Sequence, residues 1–155
     1  MKIKFTLNHV NHEVEVDPSM RLLDFLRNEF HALSVKEGCG EGSCGACTVL
    51  MDKRPIDSCL CPVANIDGKE IITLDGFKTT RQYRIIADAF ALYGGSQCGF
   101  CTPGMIISTY GLLLRNPHPT EMEVKEALSG NLCRCTGYQS IVDAVLKASK
   151  EDIVW

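Results

Sequence analysis

No surplus of positive charge, no long apolar run and only four histidines are found in this 155-residue chain. Lys and Arg number 16 against 19 Asp and Glu, a formal net charge of −3, and the basic residues are scattered rather than striped. Neutralising phosphates needs clustered cations, so no nucleic-acid partner is expected. No apolar stretch approaches the ~20 residues of a membrane span. Met1-Lys2-Ile3-Lys4 runs straight into alternating residues, without the apolar segment of a secretory signal. The expectation is a soluble, cytoplasmic protein. There is no low-complexity segment and no serine, histidine and acid arrangement of a catalytic triad.

Cysteine is what the chain has in excess: nine residues, an odd number. In a small exported protein they would suggest disulfides, but in a reducing compartment the same density points to metal. They fall in two groups. Cys39, Cys44, Cys47, Cys59 and Cys61 form one; Cys98, Cys101, Cys133 and Cys135 form the other. The histidines His9, His12, His31 and His118 lie outside both, so a mixed Cys/His zinc site gains no support and these residues are expected at turns or surfaces.

The hydrophobic pattern divides the chain at the same place as the cysteines. Ile3, Phe5 and Leu7, then Val14 and Val16, alternate around Asn8-His9-Val10-Asn11, which predicts a hairpin. Leu22, Leu23, Leu26 and Phe30 share a helical face, with Ser19 as its cap. Strands are predicted at Thr48–Met51, Ile56–Cys61 and Glu70–Leu74. A small sheet grasping one helix follows, ending near Asp75-Gly76. The second half reads as four helices. One carries Ile85, Ile86, Ala89 and Leu92 and stops at Gly94-Gly95. A second starts at Thr102-Pro103 and runs to Asn116-Pro117. A third opens on a Thr120–Glu123 capping box, and the last carries Tyr138, Ile141, Val142, Val145 and Leu146. Met105 and Met122 read as core filler.

The loop between the first helix and the strand at Thr48 has two readings. Gly40-Glu41-Gly42-Ser43-Cys44-Gly45 spells G-x-G-x-x-G. A dinucleotide fingerprint needs a strand before it and a helix after it, and here the order is reversed. The cysteines fit better: Cys39, Cys44 and Cys47 stand at C-x4-C-x2-C, the spacing of a plant-type [2Fe–2S] ferredoxin, whose fourth cysteine lies further on. Structural zinc usually pairs two short knuckles, which this triplet fits poorly. Cys59 and Cys61 both lie on the predicted strand and face the same way, so spacing does not choose between them as the fourth ligand. The second group, C-x2-C with a distant C-x-C, is by itself ambiguous between zinc and iron–sulfur. Each pair stands just ahead of a predicted helix, whose positive N-terminal end suits an anionic cluster.

Three stretches carry a resemblance: "EGCGEGSCGACTVL", "QCGFCTPGM" and "GNLCRCTGYQSIVDAV". Together they closely resemble the small iron–sulfur subunit of the molybdenum hydroxylases, the family of xanthine dehydrogenase, aldehyde oxidoreductase, carbon monoxide dehydrogenase and nicotinate dehydrogenase. The resemblance implies an α+β chain in two parts. Residues 1–76 would be a β-grasp, ferredoxin-like [2Fe–2S] domain, and 77–155 a four-helix [2Fe–2S] domain. It implies Cys39, Cys44, Cys47 and Cys59 as one ligand set and Cys98, Cys101, Cys133 and Cys135 as the other, leaving Cys61 over. It places Gln97 and Cys135 against a pterin. It implies a large molybdopterin-binding subunit and a medium FAD-binding subunit as partners, assembled as a dimer of heterotrimers. Electrons would pass from molybdenum through the helical-domain cluster, then the ferredoxin-type cluster, to FAD. The substrate would be a purine, another N-heterocycle or an aldehyde. The competing function is a free-standing two-cluster electron carrier or sensor, which would need no such partners.

Overall fold

The Asn8-His9 turn closes the chain's first hairpin, and both residues take positive φ (50° and 69°), as a tight hairpin turn demands. The computed structural model describes all residues, 1–155. Strand β1 (Lys2–Leu7) sends Ile3, Phe5 and Leu7 inward and pairs antiparallel with β2 (Val10–Glu15). Helix α1 (Leu22–Phe30) buries Leu22, Leu23, Phe25 and Leu26. Strands β3 (Thr48–Met51), β4 (Arg54–Asp57) and β5 (Glu70–Ile72) complete a sheet of order β2-β1-β5-β3-β4. β5 runs parallel to β1 and antiparallel to β3. This is the small sheet grasping a helix that the alternation foretold.

Three expectations shift. Ser19 does not cap α1: its hydroxyl donates to Asp17 (2.7 Å), and Arg21 occupies the cap position without a side-chain capping bond. The strand expected at Ile56–Cys61 is instead Arg54–Asp57, so Cys59 and Cys61 lie beyond it. Pro55 is tolerated there because β4 is an edge strand. The strand stops where the Ser58 N–H and hydroxyl both donate to the Cys47 carbonyl (3.4 and 2.7 Å), which turns the chain through Ser58–Leu60. Leu74, assigned to the last strand, opens the short helix α2 (Leu74–Phe77).

The helical half contains the four expected helices: α3 (Arg81–Tyr93), α4 (Thr102–Arg115), α5 (Glu121–Ala127) and α6 (Gln139–Ala148). Gly94, at φ 69°, ends α3 in the left-handed conformation. The capping box of α5 is present, with Glu123 N–H donating to Thr120 Oγ1 and Thr120 N–H donating back to Glu123 Oε2. Met105 is fully buried, but Met122 is 64% exposed, since Val124 is the one residue of α5 that is buried.

Two apolar clusters result. One gathers residues from Ile3 to Ile71 around α1; the other gathers the helices and also takes in Leu50 of β3. Leu50 crosses over because α4 lies directly on β3 and β4. Gly111 permits this approach: a Cβ there would collide with the Pro55 ring. The fold is α+β, with the sheet and the helices in contact across α4.

Candidate metal centres

The loop from α1 to β3 is bent by Gly40, Gly42 and Gly45, each at φ near 70°, where a side chain would be strained. This curl turns backbone N–H groups onto sulfur. Cys39 Sγ accepts from the N–H groups of Glu41 (3.4 Å) and Ser43 (3.2 Å), and these bonds lower its pKa to about 7. Cys39 stands beside Cys44, whose sulfur lies so close to Gly38 that a Cβ there would be 2.8 Å from it. Cys47, at the mouth of β3, stands beside Cys59, and both are buried. Burial, with Cys59 adding to it, pushes the Cys47 thiol up to about 11. The loop is tied to α1 by Arg21, which donates to both Asp24 oxygens (2.7 and 2.9 Å) and to Glu37 (2.8 Å).

Cys61 does not join them. Its thiol points to the Pro62 carbonyl (3.6 Å), and burial raises its pKa. Because the chain turns at Ser58–Leu60, Cys59 and Cys61 do not share a strand face, contrary to the strand expectation.

The second group assembles at the starts of α4 and α6. Cys101 occupies the cap position of α4, one residue earlier than the Thr102 expected there. It stands beside Cys133, and burial followed by that neighbour pushes Cys101 up to about 12. Burial also acts to raise Cys133, but the Thr136 hydroxyl, donating to its sulfur at 3.1 Å, and nearby N–H groups outweigh it and lower the thiol. Cys98 and Cys135, both exposed, form the other pair, and Cys98 raises Cys135. Tyr138 closes the turn at φ 71°, a strained value for a non-glycine. Its hydroxyl accepts the Cys133 N–H (3.0 Å), which holds that turn in place.

In each group the four thiols stand as two pairs: Cys39 with Cys44, Cys47 with Cys59, Cys101 with Cys133, Cys98 with Cys135. No three His, Cys, Asp or Glu side chains converge as a single ion would need. Pairs suit a two-iron cluster, in which each iron takes two protein ligands, better than one tetrahedral zinc. The donors present therefore fit [2Fe–2S].

The two loops also touch. The Leu132 N–H donates to the Cys44 carbonyl (2.8 Å), and the Asn131 amide donates to the Gly45 carbonyl (3.2 Å). On another side, the Phe100 ring lies against Gly38.

Residues 5–70 match the family described as 2Fe-2S iron-sulfur cluster binding domain, and residues 73–146 match the [2Fe-2S] binding domain family. The nicotinate dehydrogenase small FeS subunit of Eubacterium barkeri is 46% identical over 143 residues, covering 92% of this chain and 91% of that one. Xanthine dehydrogenase of Emericella nidulans is 42% identical over 153 residues; the match takes 92% of this chain but 11% of that longer one. Among solved structures, quinoline 2-oxidoreductase from Pseudomonas putida 86 superposes with a TM-score of 0.89 at 40% identity, over 96% of this chain and 92% of that one. The chain belongs to the small iron–sulfur subunits of the molybdenum hydroxylases.

As such it is an electron-transfer subunit of an oxidoreductase, with two [2Fe–2S]-binding domains in one chain. No helix of the iron–sulfur subunit is long and apolar enough to cross a membrane. Gln97 is exposed and bonds back, its Nε2 donating to the Gly94 carbonyl (3.1 Å), so it caps the end of α3 while its amide oxygen stays free. Arg134, between two cysteines, is exposed and makes no ion pair within the subunit. The histidines keep away from both thiol groups: His9 meets Glu70, His12 stacks on Phe5, and His118 meets the Ser149 carbonyl. Sequence reasoning passed over Asn131, Leu132 and Thr136, and it set Tyr138 on the face of the last helix, whereas it stands at the cap ahead of that helix. Each acts through one hydrogen bond to the backbone or sulfur of a cysteine loop, and no spacing pattern announces that.

Proposed function

We propose that this subunit relays electrons from a molybdenum centre on a large partner to FAD on a medium partner, the three chains assembling twice over in the cytoplasm. Residues 1–76 form the ferredoxin-like unit, with Cys39, Cys44, Cys47 and Cys59 as ligands. Residues 77–155 form the helical unit, with Cys98, Cys101, Cys133 and Cys135. A [2Fe–2S] cluster held by each set would supply one-electron redox chemistry.

The protein's own groups do the rest. The paired thiols would hold the irons of each cluster, and the Glu41 and Ser43 N–H groups offset negative charge on Cys39 sulfur. The Thr136 hydroxyl does the same for Cys133. The helical group is the entry side. Its Cys98, Cys135 and Gln97 are exposed together, as suits contact with a pterin, and the Gln97 amide adds no charge there. The ferredoxin-like loop, with Cys39 exposed, is the exit toward flavin. The substrate is an N-heterocycle, as in the names of the relatives matched along most of their own length, nicotinate dehydrogenase and quinoline 2-oxidoreductase; aldehyde oxidases are similar too, but over 11% of theirs.

One observation carries the relay: two paired thiol quartets lie in loops hydrogen-bonded to each other. The test is metal content and colour after anaerobic purification. The subunit is expected to be brown-red, with about four irons and four sulfides per chain and two distinguishable EPR signals on reduction. A colourless protein loaded with zinc would overturn the reading. With the assembled enzyme, oxidation of aldehydes but not of N-heterocycles would overturn the substrate class.

A further inference from the structure

We propose that the Thr136 hydroxyl sets the reduction potential of the helical-domain centre, and that a strained turn at Tyr138 aims this hydroxyl at the Cys133 sulfur. The inference rests on the proposed two-cluster relay and adds to it the residue that tunes one station.

Three hydrogen bonds close a ring around Cys133. The Thr136 hydroxyl donates to its sulfur (3.1 Å), and the Tyr138 N–H donates to the Thr136 oxygen (3.3 Å). The Cys133 N–H completes the ring by donating to the Tyr138 hydroxyl (3.0 Å). A threonine hydroxyl has one proton and two lone pairs. With the Tyr138 N–H on a lone pair, the Thr136 proton is left to point at sulfur. The bond is shorter than the 3.2 and 3.4 Å at which N–H groups meet the Cys39 sulfur. Thr136 also supplies the one hydroxyl that donates to a cysteine sulfur in this chain.

The ring is held against backbone strain. Tyr138 has φ 71° and ψ −37°, and the Gln139 N–H donates across it to the Gly137 carbonyl (3.0 Å). That is the rare, strained form of γ-turn. Glycine at 138 would relieve the strain but would leave the Cys133 N–H without the phenol oxygen. Strained backbone persists where its surroundings over-determine it, and it gathers at functional sites. Here it brings Tyr138 onto the Cys133 backbone and Thr136 onto the Cys133 sulfur, which makes Tyr138 a positioning residue.

The direction of the effect follows from charge. Reduction adds one electron: one iron of the set goes from ferric to ferrous, and the thiolate sulfurs share the added negative charge. A hydrogen bond donated to sulfur favours that state over the oxidised one, so it raises the potential. The proton stays on Thr136 throughout. On Cys39 the donors are backbone N–H groups, which a side-chain substitution leaves in place. On Cys133 a side chain donates, so one residue adjusts the potential.

The test is an EPR-monitored redox titration of the cluster-loaded full chain, in which the signal left intact by Cys59→Ser belongs to the helical-domain centre. Thr136→Val keeps the shape and removes the hydroxyl. The helical-domain midpoint is expected to fall, so that at a fixed solution potential its ratio of reduced to oxidised drops severalfold. The g-values and the ferredoxin-type midpoint should not move, and Thr136→Ser should restore the original midpoint. Tyr138→Phe keeps the ring and the backbone N–H but has no phenol oxygen, and a smaller fall in the same direction is expected. An unchanged midpoint in Thr136→Val, or no restoration by serine, would overturn the tuning role. An unchanged midpoint in Tyr138→Phe would overturn the aiming role. Loss of the helical-domain signal in both Thr136→Val and Thr136→Ala would also overturn the tuning role, because the hydroxyl would then hold the cluster rather than tune it. The unsubstituted chain tests the underlying relay separately: absence of two [2Fe–2S] signals would remove the relay itself. Two signals with a midpoint indifferent to residue 136 would leave the relay standing and remove this inference alone.

Discussion

Cys59 and Cys61 are two residues apart and both buried, but only Cys59 stands beside Cys47. Cys61 packs as a small apolar group against the first core, its thiol turned to Pro62. Cys61→Ser is expected to keep the ferredoxin-type EPR signal, at a stability cost of about 1–3 kcal/mol for a hydroxyl in an apolar pocket. Cys59→Ser is expected to lose or alter that signal. The reverse pattern in the two spectra would mean that the wrong thiol has been chosen. Gln97 poses a second question of this kind, since its nitrogen caps α3 and its oxygen stays free. In the assembled enzyme, Gln97→Ala should slow electron transfer from molybdenum while both cluster spectra stay nearly intact. Loss of a cluster signal would mean that the capping bond is its whole role.

At the scale of elements, what could be read from the sequence was whatever is written in local periodicity. Thr120 at a helix start, Gly94 at a helix end and the alternation of Ile3, Phe5 and Leu7 are local statements, and each became the element it indicated. Cys39, Cys44 and Cys47 could be picked out because iron–sulfur ligands sit at short, fixed spacings, whereas the choice of Cys59 over Cys61 and of iron–sulfur over zinc for the second group came from the family resemblance. What escaped depends on contacts far apart in the chain. β4 stops early because Ser58 is drawn to the Cys47 carbonyl, and Asn131 reaches a loop 86 residues away. The packing of α4 onto the sheet is of the same kind: Gly111 in the middle of a helix reads as a weakness, but it makes room for Pro55. Gly111→Val should therefore destabilise the chain despite its better helix propensity. Overpacking of about 1–3 kcal/mol is expected, lowering Tm by several degrees in a melt of the cluster-loaded protein. An unchanged Tm would mean that α4 can lift off the sheet at little cost.

For the whole molecule, the fold sets the two thiol groups in a sequence. The helical group has an exposed pair, Cys98 and Cys135, and an inner pair, Cys101 and Cys133. Cys133 adjoins Leu132, which is bonded to Cys44, and Cys44 stands beside the exposed Cys39. A line drawn through these contacts enters at one surface and leaves at another, which is the layout of a wire rather than of a reaction centre. A wire can be cut without stopping what feeds it. In the assembled enzyme carrying Cys44→Ser, confirmed to hold its partners and to lack the ferredoxin-type cluster, substrate should still reduce the molybdenum and the helical-domain cluster. Flavin should then stay oxidised on the turnover timescale, because the electron has no second station from which to leave. Rapid-mix spectra that follow each centre separately make the comparison. Normal flavin reduction in that variant would mean that electrons leave directly from the helical unit, and the serial order of the two thiol groups would then have no part in catalysis.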